Sequence, residues 1–358
     1  MTPVVRGTPK GVLLALALVF ASPRPARAQT APPPLPMPLT NNAVAALERG
    51  PGAGLYTMLG VDSTKRWSGI TRRAFHLPRG ATAWRELPSV PGPLGRLASL
   101  AFGVKGRVVV VGGYTVDSSG TERSLPNVDI WDPARRVWRS GAPTPVAVDD
   151  AVGGVWRDSI IVLVTGWHDT DNVADVQLYD VVRDRWMRGT RFPGVPVFGG
   201  SGTVSGDFVL VVDGARRSGG AVKYTLASQS WLGRIDPRDP TRIAWDTLPT
   251  HPGPARYRAA AAGCGTRGVW LVGGTDNPYN YDGIGYDSRP SEPLGELLTV
   301  DPVARTWKAT PNWYAATMDH RGLLLHRNRA LIVGGMRASQ AVSRSIEAWR
   351  QPCLVRGR

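Results

Sequence analysis

Cysteine is nearly absent. The 358 residues include two, Cys264 and Cys353, too few for a disulfide framework. They read as separate thiols, one in an apolar small-residue run and one in the C-terminal tail. Histidine is scarce too: His76, His168, His251, His320 and His326 are all there is. That leaves little for a zinc or copper centre, and neither a metal nor another cofactor is expected. No Gly-x-Ser-x-Gly elbow, His-Glu-x-x-His helix or phosphate loop occurs, which removes the usual hydrolase, zincin and nucleotide-binding signatures. Basic residues outnumber acidic ones by 43 to 28, but no block of five or six like charges forms. Without a basic stripe and interleaved aromatics, nucleic acid is not an expected partner. No ten-residue helical period is found anywhere, which points to an all-β chain.

One long apolar run exists, at the start. Arg6 and Lys10 precede the apolar Val12–Phe20, and Ala26-Arg27-Ala28 follows as a small-x-small cleavage site. This is the pattern of a secretory signal peptide over residues 1–28, too short to span a bilayer as a mature helix. The expected protein is therefore exported, to the periplasm or the exterior, and does not span a membrane. Loss of residues 1–28 removes four basic residues and no acid, so the formal charge falls from +15 to +11.

What remains is repetitive. A β-branched run ends in a small turn six times: Leu59-Gly60, Gly112-Gly113, Thr165-Gly166, Asp213-Gly214, Gly273-Gly274 and Gly334-Gly335. Successive turns lie about 50–60 residues apart, the period of a four-stranded propeller blade. Trp131 to Trp138, Tyr179 to Trp186, Tyr224 to Trp231 and Val300 to Trp307 are each seven residues apart. Each such Trp is expected to pack an outer strand. The first strand of each blade is rich in small residues, such as Ala43–Ala46 and Ala259–Gly263, as crowding at a propeller axis demands. Blade four is ambiguous: spacing marks Trp231 as its outer tryptophan, while Trp-x-x-Leu-Pro, shared with Trp84–Pro88, marks Trp245. Blade six has no outer tryptophan, so a strand around Leu35–Leu39 is expected to close the ring. The domains are then residues 1–28, a Pro-rich closing segment 29–40, a six-bladed propeller 41–351 and a tail 352–358.

From about Leu35 to Trp349 these double glycines and spaced tryptophans resemble the kelch repeat superfamily, implying an all-β, six-bladed kelch-type propeller closed by an N-terminal strand. Within it, six blades, a signal peptide and a long blade-five loop are most similar to the bacterial N-acetylneuraminate epimerases, or sialic acid mutarotases; such chains are also labelled galactose-oxidase-like. The epimerase resemblance implies an acid and an arginine in the blade-four loop, which here reads Asp213-Gly214-Ala215-Arg216-Arg217, without Glu. Copper oxidase chemistry would need two tyrosines, two histidines and a cross-linked cysteine, which the chain does not place together.

In such a propeller the interblade loops and the loops between second and third strands share one face. The interblade loops place Asn41-Asn42, Arg96, Asp149-Asp150, Gly199-Gly200, Tyr257-Arg258 and Asp319-His320 around the channel mouth. Asp149, Asp150, Asp319 and His320 are the candidate acids and bases for opening a sugar ring. Arg258, Arg96 and Arg216 are candidates for a carboxylate. Arg258 precedes small residues, so its side chain is expected to stand open at the mouth. The second-to-third-strand loops add Trp67, Trp167, His168, Asp171, Asn172, Asp276, Asn277 and Tyr279, aromatics and amides suited to sugar faces and hydroxyls. The expected ligand is a small carbohydrate or glycan, an acidic sugar among them. The alternative is a non-catalytic scaffold binding a protein or glycan with the same face.

Overall fold

The computed structural model describes residues 1–2, 32–264, 268–312 and 315–350. The chain divides into two units, Met1–Ala31 and Pro32–Arg358. Only Met1 and Thr2 of the first are described, so the signal peptide lies outside the described residues, as do Cys353 and the tail.

Among the described residues the second unit has six antiparallel blade sheets and three two-stranded rim hairpins. Blade one comprises Ala43–Leu47, Gly54–Met58, Ala74–Pro78 and Arg85–Leu87. Blade two comprises Leu100–Val104, Arg107–Val111, Val128–Asp132 and Val137–Ser140. Blade three comprises Val152–Trp156, Ile160–Val164, Val176–Asp180 and Arg185–Arg188. Blade four comprises Ser201–Ser205, Phe208–Val212, Ser230–Ile235 and Ile243–Thr247. Blade five comprises Ala260–Gly263, Val269–Val272, Leu297–Asp301 and Thr306–Thr310. Blade six has three described strands, Leu324–His326, Arg329–Val333 and Ile346–Arg350. The inner strand of blade one touches those of both blade two and blade six, so the ring is closed. This is the expected six-bladed propeller.

Each second strand is buried on both faces, which is why it reads as an unbroken β-branched run. In blade three, Ile160, Val162 and Val164 pack toward blade four, while Ile161 and Leu163 pack toward blade two. Crowding at the axis explains the small inner residues: a Cβ on Gly103 would overlap the Ala46 carbonyl, and one on Gly154 the Val204 amide. The paired turns have unequal halves. Leu59, Thr165 and Asp213 hold left-handed φ values of 62°, 56° and 53° at the first position, so side chains are tolerated there. The second position is Gly in all six, because a Cβ would press on the connector; at Gly113 it would lie 2.6 Å from the Leu97 carbonyl.

Neighbouring blades are latched by tryptophan. The indole N–H of Trp84 donates to Pro33 O, Trp138 to Pro88 O, Trp186 to Ala142 O, Trp245 to Thr190 O and Trp307 to Pro249 O, all at 2.8–3.2 Å. Trp245 is thus the outer tryptophan of blade four. Trp231 sits on the third strand, and Tyr224 lies in a separate rim hairpin, so their seven-residue spacing is a coincidence of loop length.

The same latch corrects the N-terminal reading. Pro33, not Pro36, is the equivalent of Pro88. Leu35 N donates to Arg344 O as Val90 N donates to Arg72 O. Residues 35–39 are therefore the connector from blade six to blade one, with Leu35 and Leu39 fully buried against Leu331, Val333 and Ile346. They close the ring without forming a strand, and a fourth strand of blade six is not among the described residues. The thiol reading is also corrected: Cys264 is disulfide-bonded.

Candidate functional site

The connector into each blade makes the same bend. Thr40, Leu97, Asp149, Phe198, Tyr257 and Met318 each form an isolated bridge to the residue directly after the glycine turn. The next residue in each case, Asn41, Ala98, Asp150, Gly199, Arg258 and Asp319, has a left-handed φ between 50° and 69°. Five of these six lack the glycine that normally carries such a φ, so the bend is imposed by its neighbours. Backbone bonds link them around the mouth: Asp150 N to Ala98 O, Gly199 N to Asp150 O and Arg258 N to Gly199 O.

Their side chains converge on one network. Arg258 donates to Asp150 Oδ2 at 2.5 Å and to Asp319 Oδ1 at 3.0 Å. Arg321, unnoticed in the sequence, reaches Asp150 at 2.6 Å and Asp319 at 3.3 Å, and donates to Asn41 Oδ1 at 3.0 Å. Thr40 Oγ1 donates to the other Asp319 oxygen at 2.7 Å. Two guanidinium groups and two carboxylates are neutral in sum. Gly199 makes the span from blade five to blade three possible, since any side chain there would overlap the Tyr257 ring.

The network is sealed. Side-chain exposures are 2% for Arg258, 1% for Asp150, 0% for Asp319 and 4% for Arg321. The expectation that Arg258 stands open at the mouth is therefore overturned. Two tyrosines cover it, with the guanidinium carbon 4.7 Å from the Tyr257 ring centroid and 5.3 Å from that of Tyr279. Burial works against the Arg258 charge, but Asp150, Tyr257 and Asp319 outweigh it and raise its pKa further. The Tyr279 hydroxyl is directed toward Asp319 without reaching hydrogen-bond geometry. Tyr279 belongs to the blade-five loop, which crosses the face as a cap. Its Asn280 donates to Glu122 of blade two, and Gln340 of blade six donates to its Ser291 carbonyl. Beneath the plug, a channel of about 320 Å³ runs between the six inner strands.

The other expected residues divide three ways. Asp149 is buried, accepts from Ser124 Oγ at 2.6 Å, and is pushed well above the usual carboxylate range by burial and by Asp150. His320 is buried beside Thr317 Oγ1, and desolvation lowers its pKa to about 4. Arg96 is not part of the ring. It lies two residues before Ala98, matching Arg256 of blade five; both guanidinium groups are buried and each pairs with an acid on the third-strand side, the buried Asp129 and the half-buried Glu296. Asp213 is likewise structural: its carboxylate takes the Arg256 amide and His251 Nε2. Burial opposes the His251 charge, but that bond to Asp213 raises its pKa overall.

On the loop face, Asn172 is committed to the carbonyls of Pro196 and Ala215, His168 Nδ1 to Ala147 O, and Asn277 to Asp287. Trp167 packs edge-on against Phe198 and Tyr224. Asp171, Arg216, Asp276 and Trp67 are exposed, with Trp67 on a short 3-10 turn, Trp67–Gly69. Among the described residues no three His, Cys, Asp or Glu side chains converge as a metal site would require.

A cluster above the plug had no sequence signal. Glu122, paired with Val116 at the turn end of the rim hairpin Tyr114–Val116/Glu122–Ser124, is solvent-exposed yet set among the loops of blades four and five. Partial desolvation by those loops raises its carboxyl pKa, against the pull of the Asn280 hydrogen bond and of the Arg258 and Lys223 charges. Tyr281 and Tyr286 feel its charge, and the Tyr286 ring lies 4.5 Å from that of Tyr224. Lys223 Nζ sits 5.0 Å from the Tyr224 centroid.

The architecture is shared. The chain is similar in fold to the solved structure of YjhT, at a TM-score of 0.70 over 90% of this chain and 100% of that one, with 14% identical residues. At that identity the likeness concerns fold alone. No family model and no curated protein matches the chain.

Proposed function

We propose that this protein is an exported carbohydrate-binding propeller that holds a hydroxyl-rich ligand on its loop face, over the sealed channel. The observation that carries this reading is Glu122: a solvent-facing carboxyl with a raised pKa, one amide partner at 3.2 Å, and tyrosines around it. Carboxyl and amide groups bond sugar hydroxyls, the edges of Tyr281 and Tyr286 offer apolar contact, and Lys223 favours an acidic sugar. Anomeric ring opening needs a paired acid and base. The channel-mouth carboxylates Asp150 and Asp319 are occupied by two arginines, whereas Glu122, within the field of Lys223, stays open to a ligand. Binding without turnover is accordingly the reading preferred.

Calorimetric titration with neutral hexoses, uronic acids and sialic acid tests this. Glu122→Gln should weaken the best ligand at least about tenfold, the loss of one charge-assisted hydrogen bond. Exchange spectroscopy on protons that differ between anomers, the anomeric proton of the aldoses and the C3 methylene of sialic acid, reads out mutarotation during the same titration. If no sugar binds, or Glu122→Gln binds equally well, the face is a protein-binding scaffold.

A further inference from the structure

The opposite face carries a second feature. Blades two, three and five turn from third to outer strand in four residues, as between Asp132 and Val137. Blade four instead runs from Ile235 to Ile243 through a tip containing Pro237 and Pro240. The longer tip frames a cleft of about 660 Å³. Arg234, Arg238 and Arg242 line it, and all three are exposed.

The acids around this cleft are already engaged. Asp236 Oδ1 accepts from the Arg238 amide, and Asp239 Oδ1 accepts from Thr241 Oγ1 and N, so both serve the turn. Asp207 pairs with Arg157, and Asp246 with Arg305. Three guanidinium groups therefore face one cleft against a single lining carboxylate, Asp236, whose pKa the Arg238 amide and the charges of Arg242 and Arg238 hold down, and positive charge is left in excess. A cleft of this size exceeds a single oxyanion and suits a chain bearing several. Its lining contains no exposed large apolar side chain, which a membrane-inserting surface would need.

We propose that the blade-four cleft binds an anionic polysaccharide, with Arg234, Arg238 and Arg242 taking its sulfate or carboxylate groups. Guanidinium forks suit such oxyanions. The proposal is independent of the Glu122 site on the other face.

The test is retention of the protein on immobilised dextran sulfate, compared with neutral dextran, across a salt series. The R234Q/R238Q/R242Q variant should bind at least tenfold more weakly. A control, R49Q/R135Q/R185Q, removes the same charge from exposed arginines of blades one to three and should stay within twofold of wild type. If the cleft variant melts early, Arg238→Gln alone should give about a threefold loss. Equal weakening of both triple variants would reduce the effect to net charge and overturn the site. So would equal binding to neutral dextran. Tighter, arginine-dependent capture on phosphatidylglycerol vesicles would replace the polysaccharide with a membrane and overturn it too.

Discussion

The channel mouth and the blade-four tip use the same guanidinium and carboxylate groups to opposite ends. At the mouth, Arg258 and Arg321 meet Asp150 and Asp319 in a closed, neutral plug with side-chain exposures of 4% or less. At the tip, the local carboxylates turn back to their own backbone and three arginines face outward. Charge at the axis of the ring serves architecture, and charge displaced from the repeat is free for a partner. Position within the repeat, not residue type, decides which.

The largest effect expected is at the plug. Arg258→Ala leaves two buried carboxylates sharing Arg321 alone, and should destabilise the protein by about 3–5 kcal/mol in chemical denaturation. A loss below about 1 kcal/mol would mean that the plug is hydrated and the contrast with the tip false. Gly199→Ala comes next. It combines a φ of 60° with overlap on the Tyr257 ring, and should cost about 1–3 kcal/mol.

Asp149 sharpens the comparison through pH. Burial, with Asp150 beside it, raises its folded pKa well above the unfolded value of about 3.9. Folding therefore favours the protonated form: the contribution of Asp149 is fully present below pH of about 4 and declines as pH rises toward the folded pKa. Asp149→Asn should remove that decline, seen as a flatter melting temperature between acid and neutral pH. An unchanged slope would place the titration elsewhere.

Smaller still is Trp245→Phe, which removes one indole donor from Thr190 O and should cost about 1 kcal/mol. Arg216→Ala, at an exposed hairpin position, should stay within about 0.5 kcal/mol.

Much of the ring was legible in the sequence because its physics is local. Glycine turns, β-branched second strands and small inner strands each report a steric condition met within one blade. The left-handed connector positions were also found, apart from blade two, where Arg96 drew attention two residues early and Ala98 holds the bend. What the sequence hid depends on distant chain segments. Arg258 looked open because Ala259–Ala262 are small, yet Tyr279, brought by the blade-five loop, closes over it. Glu122 carried no motif; its surroundings are assembled from blades two, four and five. Tyr224 and Trp231 reproduced the blade spacing by chance, since a rim hairpin of the right length imitates a turn.

The connector at Pro33–Leu39 has a consequence for the order of assembly. Its partners Ser343 and Arg344 are made long after it: the hydrogen bond from Arg344 Nε to Leu35 O spans 309 residues. Blades one to five can form as each emerges, every outer tryptophan finding a carbonyl made before it. The seam between blades six and one cannot. Until Ser343 and Arg344 are made, Leu35 and Leu39 remain unburied beside the open flank of blade one, so a chain stalled before Ser343 is left with an apolar edge and no means of covering it.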